Sequence, residues 1–168
     1  MTDPRMSFDD FFLQLARTYS TRADCTRRRV GAVIVNADNR AVGLGYNGAE
    51  PGEPGCLSAS ACPRGQHYPV VNTRSTSLQD FRICACGSSW PCEYSVAPGS
   101  SYEPGSKGFC IGIHSEDNAK RDAEGKGISI AGLRMFCTDE PCYKCVKLLS
   151  DAGLASIKWP DGEMVFSG

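Results

Sequence analysis

The sequence lacks any long apolar run and any clear excess of charge of one sign. No stretch approaches the roughly 18 apolar residues of a membrane-spanning helix, and the polar, acidic first ten residues do not resemble a secretory signal peptide. The 18 Lys and Arg side chains nearly balance the 19 Asp and Glu, whereas nucleic-acid-binding proteins usually show a basic excess. We therefore expect a cytoplasmic protein that acts on a small molecule and binds neither membrane nor nucleic acid.

Ten cysteines among 168 residues are the unusual feature of the composition. In a secreted domain they would indicate a disulfide framework, but in a reducing compartment metal binding is the better explanation. A chain of this length can bury the core of one domain, and we expect residues 1–168 to form a single one. Residues 48–110 form an insert within it, rich in Cys, Gly, Pro and Ser and without helical or strand periodicity. An irregular segment this long needs support other than apolar packing, and bound metal would supply it.

Outside this insert, the apolar pattern predicts alternating helices and strands. Ser7 is a good N-cap residue, and the first helix should turn Phe8, Phe11, Phe12 and Leu15 towards the core. The predicted strands are residues 30–36, 41–46, 133–137 and 154–159. The later helices are predicted at residues 114–124 and 142–152. The order α-β-β-insert-α-β-α-β indicates helices packed on a mixed sheet.

Two short motifs after the insert contain residues that commonly bind metal. One predicted helix begins with His114-Ser-Glu116, and the next begins with Pro141-Cys142-Tyr-Lys-Cys145. Cys142 and Cys145 are three residues apart, so they share a helix face, and a helix N-terminus favours their thiolates. With His114 they supply three tetrahedral zinc ligands and leave the fourth position for water, as catalytic zinc sites do.

Glu116 is the candidate acid and base of this site. Zinc lowers the pKa of bound water, and a glutamate at a helix start, two residues from His114, can reach that water. Each motif alone is weak evidence, because Cys-x2-Cys also occurs in structural zinc knuckles and His-x-Glu arises by chance. Together they match the His-x-Glu and Pro-Cys-x-x-Cys pattern of zinc deaminases. A structural zinc site is the alternative.

The resemblance to one enzyme family extends beyond these motifs. Two runs resemble the first half of deoxycytidylate deaminases: Asp24-Cys-Thr-Arg-Arg-Arg-Val-Gly-Ala-Val-Ile-Val and Gly45-Tyr-Asn-Gly48. In the second half, Asn118-Ala119 extends the resemblance beyond the His-x-Glu motif. Residues 24–56 and 114–159 are thus similar to the cytidine and deoxycytidylate deaminase family. The resemblance implies an α/β fold, a three-layer α/β/α sandwich of the cytidine-deaminase type, here with a long Cys-rich insert. It also implies a homo-oligomer.

The same resemblance implies how the substrate is held. Asn47 would hydrogen-bond the sugar, and the backbone around Ser115 and Glu140 would meet the pyrimidine edge. Trp159 stands where the family often has an aromatic residue near the pocket, although packing in the core is the simpler explanation of that tryptophan. Asn47 would also suit a turn beside Gly48. The family usually has Ala in place of Ser115, a small change that should spare catalysis.

Recognition of a nucleotide phosphate is less clearly encoded. Deoxycytidylate deaminases have a basic residue after the helix that carries the first metal motif. Here that place falls on Gly125, with Lys126 next to it. If the substrate is a monophosphate, Lys126 or one of Arg27, Arg28 and Arg29 must replace the missing charge. The three arginines are otherwise typical of a solvated run.

A second, structural zinc occurs in some family members. Its ligands include the Cys before Val-Gly-Ala and the Cys after Tyr-Asn-Gly, which are Cys25 and Cys56 here. The remaining ligands should come from the insert, with Cys62 and His67 as lesser candidates. The leading candidates are Cys84, Cys86 and Cys92. We therefore expect two zinc ions per chain, one catalytic and one structural, with free buried thiols as the alternative for the second.

The resemblance implies zinc-dependent hydrolytic deamination of a cytosine ring, with dCMP converted to dUMP and ammonia. The same chemistry on a nucleoside, a free base or a related heterocycle is the first alternative. A non-catalytic, zinc-stabilised interaction domain is the second. The intact Glu116 argues against this second alternative, because a structural zinc site has no use for a carboxylate at that position.

Overall fold

The computed structural model describes residues 4–72, 82–96 and 100–166, and the chain divides into two compact units. The first unit is built from the chain up to Ala23, from Arg29–Gly48 and from the chain after Gly112. The second consists of Asp24–Arg28 and Ala49–Gly112. Its longer segment begins and ends within two residues of the predicted insert at 48–110. That both units belong to a single domain over residues 1–168 stays a prediction.

Outside the insert the elements follow the predicted order, with one strand more at the end of the chain. The insert, for which no helix or strand was predicted, contains two short helices and two short strands in its described part. In sequence they are α1 (Phe8–Ser20), β1 (Gly31–Val35), β2 (Ala41–Tyr46), α2 (Cys56–Ala59), α3 (Pro63–Gln66), β3 (Pro69–Val71), β4 (Arg82–Cys84), α4 (Ser115–Gly125), β5 (Arg134–Cys137), α5 (Tyr143–Asp151), β6 (Ser156–Trp159) and β7 (Gly162–Val165). The last strand, β7, was not predicted; it follows the turn signal Pro160-Asp161 and completes a short antiparallel hairpin with β6.

The first unit is a five-stranded sheet in the order β2-β1-β5-β6-β7. Only β5 and β6 run parallel, and the other neighbours are antiparallel. Strand β1 is buried on both faces. Val33 and Val35 face the core that contains α1, whereas Ala32 and Ile34 face the core that contains α4 and α5. The unit is therefore the expected α/β/α sandwich of three layers.

Helix α1 begins where predicted, but it turns a different face to the sheet. Ser7 caps it by accepting a hydrogen bond from the Asp10 N–H at 3.1 Å. The buried residues are Phe12, Leu13 and Ala16, and Leu15 is partly buried. Phe8 and Phe11 are 57% and 51% exposed, so the prediction that they face the core was wrong.

The rotation of α1 has a backbone cause. A Cβ atom on Gly31 would collide with the Ala16 carbonyl oxygen and the Ser20 N–H. Glycine in β1 and alanine in α1 therefore allow the helix to lie directly against the strand. This close approach fixes the Ala16 side of α1 on the sheet and turns Phe8 and Phe11 outward.

The second unit contains only short elements and little apolar interior. It has two single-turn helices, α2 and α3, and a two-stranded sheet of β3 and β4. In its described part, the buried apolar side chains are Cys56, Cys62, Cys84 and Val96. Three of these four are cysteines, in keeping with the expectation that apolar packing is not what orders this segment.

Within residues 4–72, 82–96 and 100–166, no helix is both long enough and apolar enough to cross a bilayer.

The glycines of β2 allow α4, which begins beside the candidate site, to lie directly on the sheet. A Cβ atom on Gly45 would collide with the Ser115 carbonyl oxygen and the Ala119 N–H. Gly45→Ala should therefore lower the free energy of unfolding by about 1–3 kcal/mol, the usual cost of overpacking. Thermal unfolding followed by circular dichroism measures this. The matched control is Gly125→Ala, since a Cβ there meets nothing within 4 Å. Equal melting temperatures for the two variants would contradict the close approach.

Candidate active site and metal centre

The two metal-binding motifs lie at the starts of α4 and α5. His114 is the N-cap residue of α4 and Cys142 the N-cap residue of α5, both with extended backbone. His114 is held beside the end of β2 because Ile113 exchanges two backbone hydrogen bonds with Gly48, at 2.7 and 3.1 Å. The loop that leads to α5 is tied to β1, since Thr138 donates its N–H to the Gly31 carbonyl at 3.0 Å. The sheet edge thus brings the two helix starts together.

The three predicted ligands, His114, Cys142 and Cys145, lie in one group, the His114 cluster. The His114 Nδ1 atom lies 3.4 Å from the Cys142 Sγ atom and 3.3 Å from the Cys145 Sγ atom. A tetrahedral zinc ion with ordinary bond lengths separates sulfur and nitrogen ligands by about 3.6 Å. The donor set and its spacing therefore fit zinc, with three protein ligands and a fourth position open.

The protonation of these groups shows why they need a cation. Hydrogen bonds from Cys145 and His114 lower the pKa of the Cys142 thiol to about 3. The hydrogen bond with Cys142 raises the pKa of His114. The same contact with Cys142, together with burial and the nearby Glu116 carboxylate, raises the pKa of Cys145. The protein alone favours one thiolate, so a bound cation is required to keep both deprotonated.

Glu116 lies against this cluster. Its side chain is only 4% exposed, and its carboxylate contacts the Cys145 thiol. The Ser115 hydroxyl donates a hydrogen bond to one carboxylate oxygen at 2.9 Å. Burial raises the pKa of Glu116 above its usual range. Because His114 is extended at the N-cap, His114 and Glu116 face the same centre although they are two residues apart.

Ser115 directly follows the ligand His114 in the sequence, and Asn47 lies near that ligand in the fold. The Asn47 Oδ1 atom accepts a hydrogen bond from the Val30 N–H at 2.8 Å, which fixes the orientation of the amide. The next residue, Gly48, is the backbone partner of Ile113 and so lies beside His114. Ser115 is fully buried. That the two residues contact the substrate stays a prediction.

Glu140 and Trp159 lie at the same edge of the sheet. Glu140 is exposed in the loop between β5 and α5, two residues before Cys142. Trp159 ends β6, which runs parallel to β5, and carboxyl ends of parallel strands meet at one edge. The Trp159 ring also packs on the core and against Gly162 in the following hairpin. This packing explains the tryptophan without a ligand.

Lys126 lies at the opposite end of α4 from the first metal motif. It is the C-cap residue of α4, and the 11-residue helix between the two caps places it about 18 Å along the axis from His114. Its ammonium group binds the Asp122 carboxylate at 2.5 Å and the Val42 carbonyl at 3.3 Å. Both features make Lys126 a weaker candidate than the arginines, and its contact with the substrate stays a prediction.

The five cysteines proposed for a second zinc do not lie in one group. The structure joins three of them with a histidine, in a set that we call the insert cluster: His67, Cys84, Cys86 and Cys92. The other two lie with two further cysteines, in a set that we call the four-cysteine cluster: Cys25, Cys56, Cys62 and Cys110. Cys110 was not among the sequence candidates, because no spacing motif connects it to the others, and Cys62 and His67 were the lesser candidates.

The four-cysteine cluster is defined by contacts among its thiols. Cys62 is hydrogen-bonded to both Cys110 and Cys56, and Cys25 lies near enough to Cys56 and Cys110 to interact with them electrostatically. All four sulfurs also receive backbone N–H groups. The donors to Cys25 and Cys110 are Arg28 and Gly112, each at 3.4 Å.

Comparison with known proteins identifies the family. Residues 6–159 match the family model described as the cytidine and deoxycytidylate deaminase zinc-binding region. The chain belongs to this family. Zinc is accordingly its metal, and the His114 cluster contains the ligand types that such a site needs.

Individual relatives agree with this assignment. The deoxycytidylate deaminase of Mycobacterium phage D29 is 32% identical over 157 residues, which cover 93% of this chain and 96% of the relative. The deoxycytidylate deaminase of Schizosaccharomyces pombe is 25% identical over 91% of this chain, which spans only 37% of that longer protein.

A solved structure supports the fold. The dCMP deaminase of cyanophage S-TIM5, crystallised in complex with dCMP and dUMP, superposes with a TM-score of 0.54 at 22% identity. The match covers 94% of this chain and 82% of the phage protein. It confirms the cytidine-deaminase type of α/β fold.

Proposed function

We propose that this chain hydrolyses the exocyclic amine of dCMP to give dUMP and ammonia, with zinc held by His114, Cys142 and Cys145. The observation that carries the proposal is the buried Glu116 carboxylate in contact with the Cys145 thiol. A structural zinc site gains nothing from a desolvated carboxylate beside its ligands. A deaminase needs one there to move protons.

Zinc, when bound, makes a water nucleophilic by lowering its pKa towards neutrality. Glu116 accepts a proton from the attacking water as the water oxygen bonds to the ring carbon that bears the amine. It then delivers that proton to the ring nitrogen. It next takes the second water proton from the new hydroxyl group and passes it to the amine, so that the carbon–nitrogen bond breaks, the ring carbonyl forms and the amine leaves as ammonia. Burial raises the pKa of Glu116, so the side chain can hold a proton between these transfers. The Ser115 hydroxyl keeps one carboxylate oxygen occupied and thereby orients the other.

The sugar and pyrimidine contacts of the proposal involve four residues beside the cluster. They are Asn47, Ser115, Glu140 and Trp159. Asn47 is the best supported, because its amide is already oriented by Val30 and the following residue pairs with Ile113. The homo-oligomer and the cytoplasmic location stay predictions from the sequence.

Glu116→Gln should keep bound zinc and lower kcat for dCMP by at least about 10²–10⁴-fold, because the amide cannot carry protons. Ammonia release and elemental analysis measure the two properties on the same preparation. The matched control is Asp117→Asn, which makes the same carboxylate-to-amide change at the next residue of α4, where the side chain pairs with Arg121, and should retain kcat within a few-fold. If Glu116→Gln turns over at a near-normal rate, Glu116 has no part in the mechanism.

The phosphate of dCMP needs a cation, and Arg29 is the best supported of the candidates. It is exposed and belongs to the same unit as the His114 cluster. It also directly precedes Val30, whose N–H holds Asn47, so its side chain starts beside the proposed sugar contact. Arg27 and Arg28 belong to the second unit.

Arg29→Ala should lower kcat/KM for dCMP and leave kcat/KM for deoxycytidine unchanged. A charge-assisted contact contributes roughly 1.5–3 kcal/mol, which corresponds to about a 10- to 150-fold loss. The matched control is Lys126→Ala, which removes a cation already bound to Asp122 and should leave kcat/KM for both substrates unchanged. Equal reaction of dCMP and deoxycytidine in the unaltered enzyme would contradict the monophosphate assignment and favour the nucleoside alternative.

The proposal includes a second, structural zinc at the four-cysteine cluster. Four thiolates fill all positions of a tetrahedral zinc ion, which is typical of structural sites. The N–H donors to Cys25 and Cys110 support thiolates at these positions, since such bonds stabilise charged sulfur. Asp24 fixes the neighbouring chain, because its carboxylate accepts hydrogen bonds from the N–H groups of Leu57 and Ser58.

Cys110→Ser should bind one zinc ion fewer per chain than the unaltered protein, because a neutral hydroxyl is a poor replacement for a thiolate. Elemental analysis of protein purified without chelator gives the count. The control is Cys137→Ala, which removes a buried cysteine outside every cluster and should leave the count unchanged. A disulfide between Cys62 and Cys110, detected by mass spectrometry after acid quench, would contradict this second site.

A further inference from the structure

The insert cluster joins four strong metal ligands that neither the catalytic site nor the four-cysteine cluster uses. They are one imidazole and three thiols, from His67, Cys84, Cys86 and Cys92, and their ligand atoms all lie within 4.8 Å of one another. None of these three cysteines forms a disulfide bond. Three thiols and a histidine so close together are unusual in a protein interior unless they share a metal ion.

The distances within the insert cluster match those of a bound zinc ion. The His67 Nδ1 atom lies 3.4 Å from the Cys92 Sγ atom and 3.8 Å from the Cys84 Sγ atom. These values bracket the separation of about 3.6 Å expected between sulfur and nitrogen ligands of a tetrahedral zinc. They are also close to the corresponding distances in the His114 cluster, 3.3 and 3.4 Å.

The backbone is folded so that the cluster forms locally. Cys84 ends β4 and lies opposite Pro69 of β3, two residues after His67. A tight turn follows, in which Gly87 has a φ of +92° and donates its N–H to the Cys84 carbonyl at 2.8 Å. This turn brings Cys86 back beside Cys84. The pairing of β3 with β4 and the turn after β4 thus bring ligands from His67 and from residues 84–86 together.

The hydrogen bonds to a sulfur of the insert cluster are of the kind found in zinc knuckles. The Cys86 sulfur receives both the N–H and the hydroxyl of Ser88. Such donors spread the charge of a metal-bound thiolate and fix its direction. The exposed position of Cys86 does not weaken this argument, because zinc knuckles commonly lie at surfaces.

Apolar packing does not explain how this part of the chain is ordered. In the described part of residues 67–92, the one buried apolar side chain is Cys84, itself a member of the cluster. Ordering a residue costs about 1–2 kcal/mol of backbone entropy. A structural zinc ion contributes about 10–16 kcal/mol of binding free energy, which is enough to offset a segment of this kind.

We propose that His67, Cys84, Cys86 and Cys92 bind a third zinc ion, separate from the catalytic zinc and from the zinc of the four-cysteine cluster. The site is structural, because its three thiolates and one imidazole occupy all four tetrahedral positions and leave none for water or substrate. It goes beyond the proposed deaminase function and does not depend on it, since none of its ligands belongs to the His114 cluster.

Metal counting tests the third site. Protein purified under reductant and without chelator should contain three zinc ions per chain by elemental analysis, and Cys92→Ser should contain two. Cys110→Ser should also contain two, and the double variant one. Cys137→Ala is the control and should contain three. An unaltered protein with two zinc ions, of which Cys92→Ser loses none, would overturn the proposal whether or not dCMP is deaminated.

Alkylation of the unaltered protein provides a second test that needs no variant. Native protein treated with N-ethylmaleimide and mapped by mass spectrometry should show Cys84, Cys86 and Cys92 protected, and a zinc chelator should expose all three. Rapid alkylation before chelation would show that they are free thiols. Protection that ends only on addition of a reductant would show a disulfide. Either of these results overturns the third site.

Discussion

The His114 cluster depends on how negative charge is stabilised at the starts of two helices. Two thiols, an imidazole and a buried carboxylate meet there, and the protein alone stabilises only one of the two thiolates. The positive ends of α4 and α5 favour negative charge, but a helix terminus contributes only about 0.3–1 kcal/mol per charge in most settings. A divalent cation is a far larger local charge. The arrangement of side chains around Glu116 is therefore one that a metal completes.

The sheet creates this arrangement by bringing backbones into close contact. Gly31 accepts α1 on one face of the sheet, and Gly43 and Gly45 accept α4 on the other. Because α4 lies directly on β2, its first residue is fixed beside the end of that strand, where Gly48 pairs with Ile113. Small residues in the strands thus determine where His114 and Glu116 lie. The chemistry depends on glycines that never touch the substrate.

The sequence was most informative where the signal is local. Strand β2 occupies its predicted residues, and α4 and α5 begin one residue after their predicted starts, because caps and hydrophobic periodicity act over a few positions. The ligands of the His114 cluster were recognisable for the same reason. They occur in two short motifs, each at a helix start, with Glu116 two residues from His114.

Features that depend on distant segments were not predictable in this way. The exposure of Phe8 and Phe11 follows from the contact between Ala16 and Gly31, which no helical periodicity encodes. The pairing of cysteines into two clusters depends on how the loops of the second unit fold. Cys84 and Cys86 are neighbours in both sequence and structure, but Cys110 joins Cys56 and Cys62 only through the course of a long irregular segment.

The two units obtain their stability from different sources. In the first, Ile34, Phe136, Leu149 and Ile157 are fully or almost fully buried, and burial of such a side chain contributes about 1.5–3 kcal/mol. That core does not need metal to form. The described part of the second unit has a single buried aliphatic side chain, Val96, and three buried cysteines. In the proposals made above, its folding is coupled to zinc coordination by these cysteines, and the metal takes the place of an apolar core. The zinc proposed for the first unit has three ligands and an open position, because there the metal would serve the reaction and the sheet already supplies the stability.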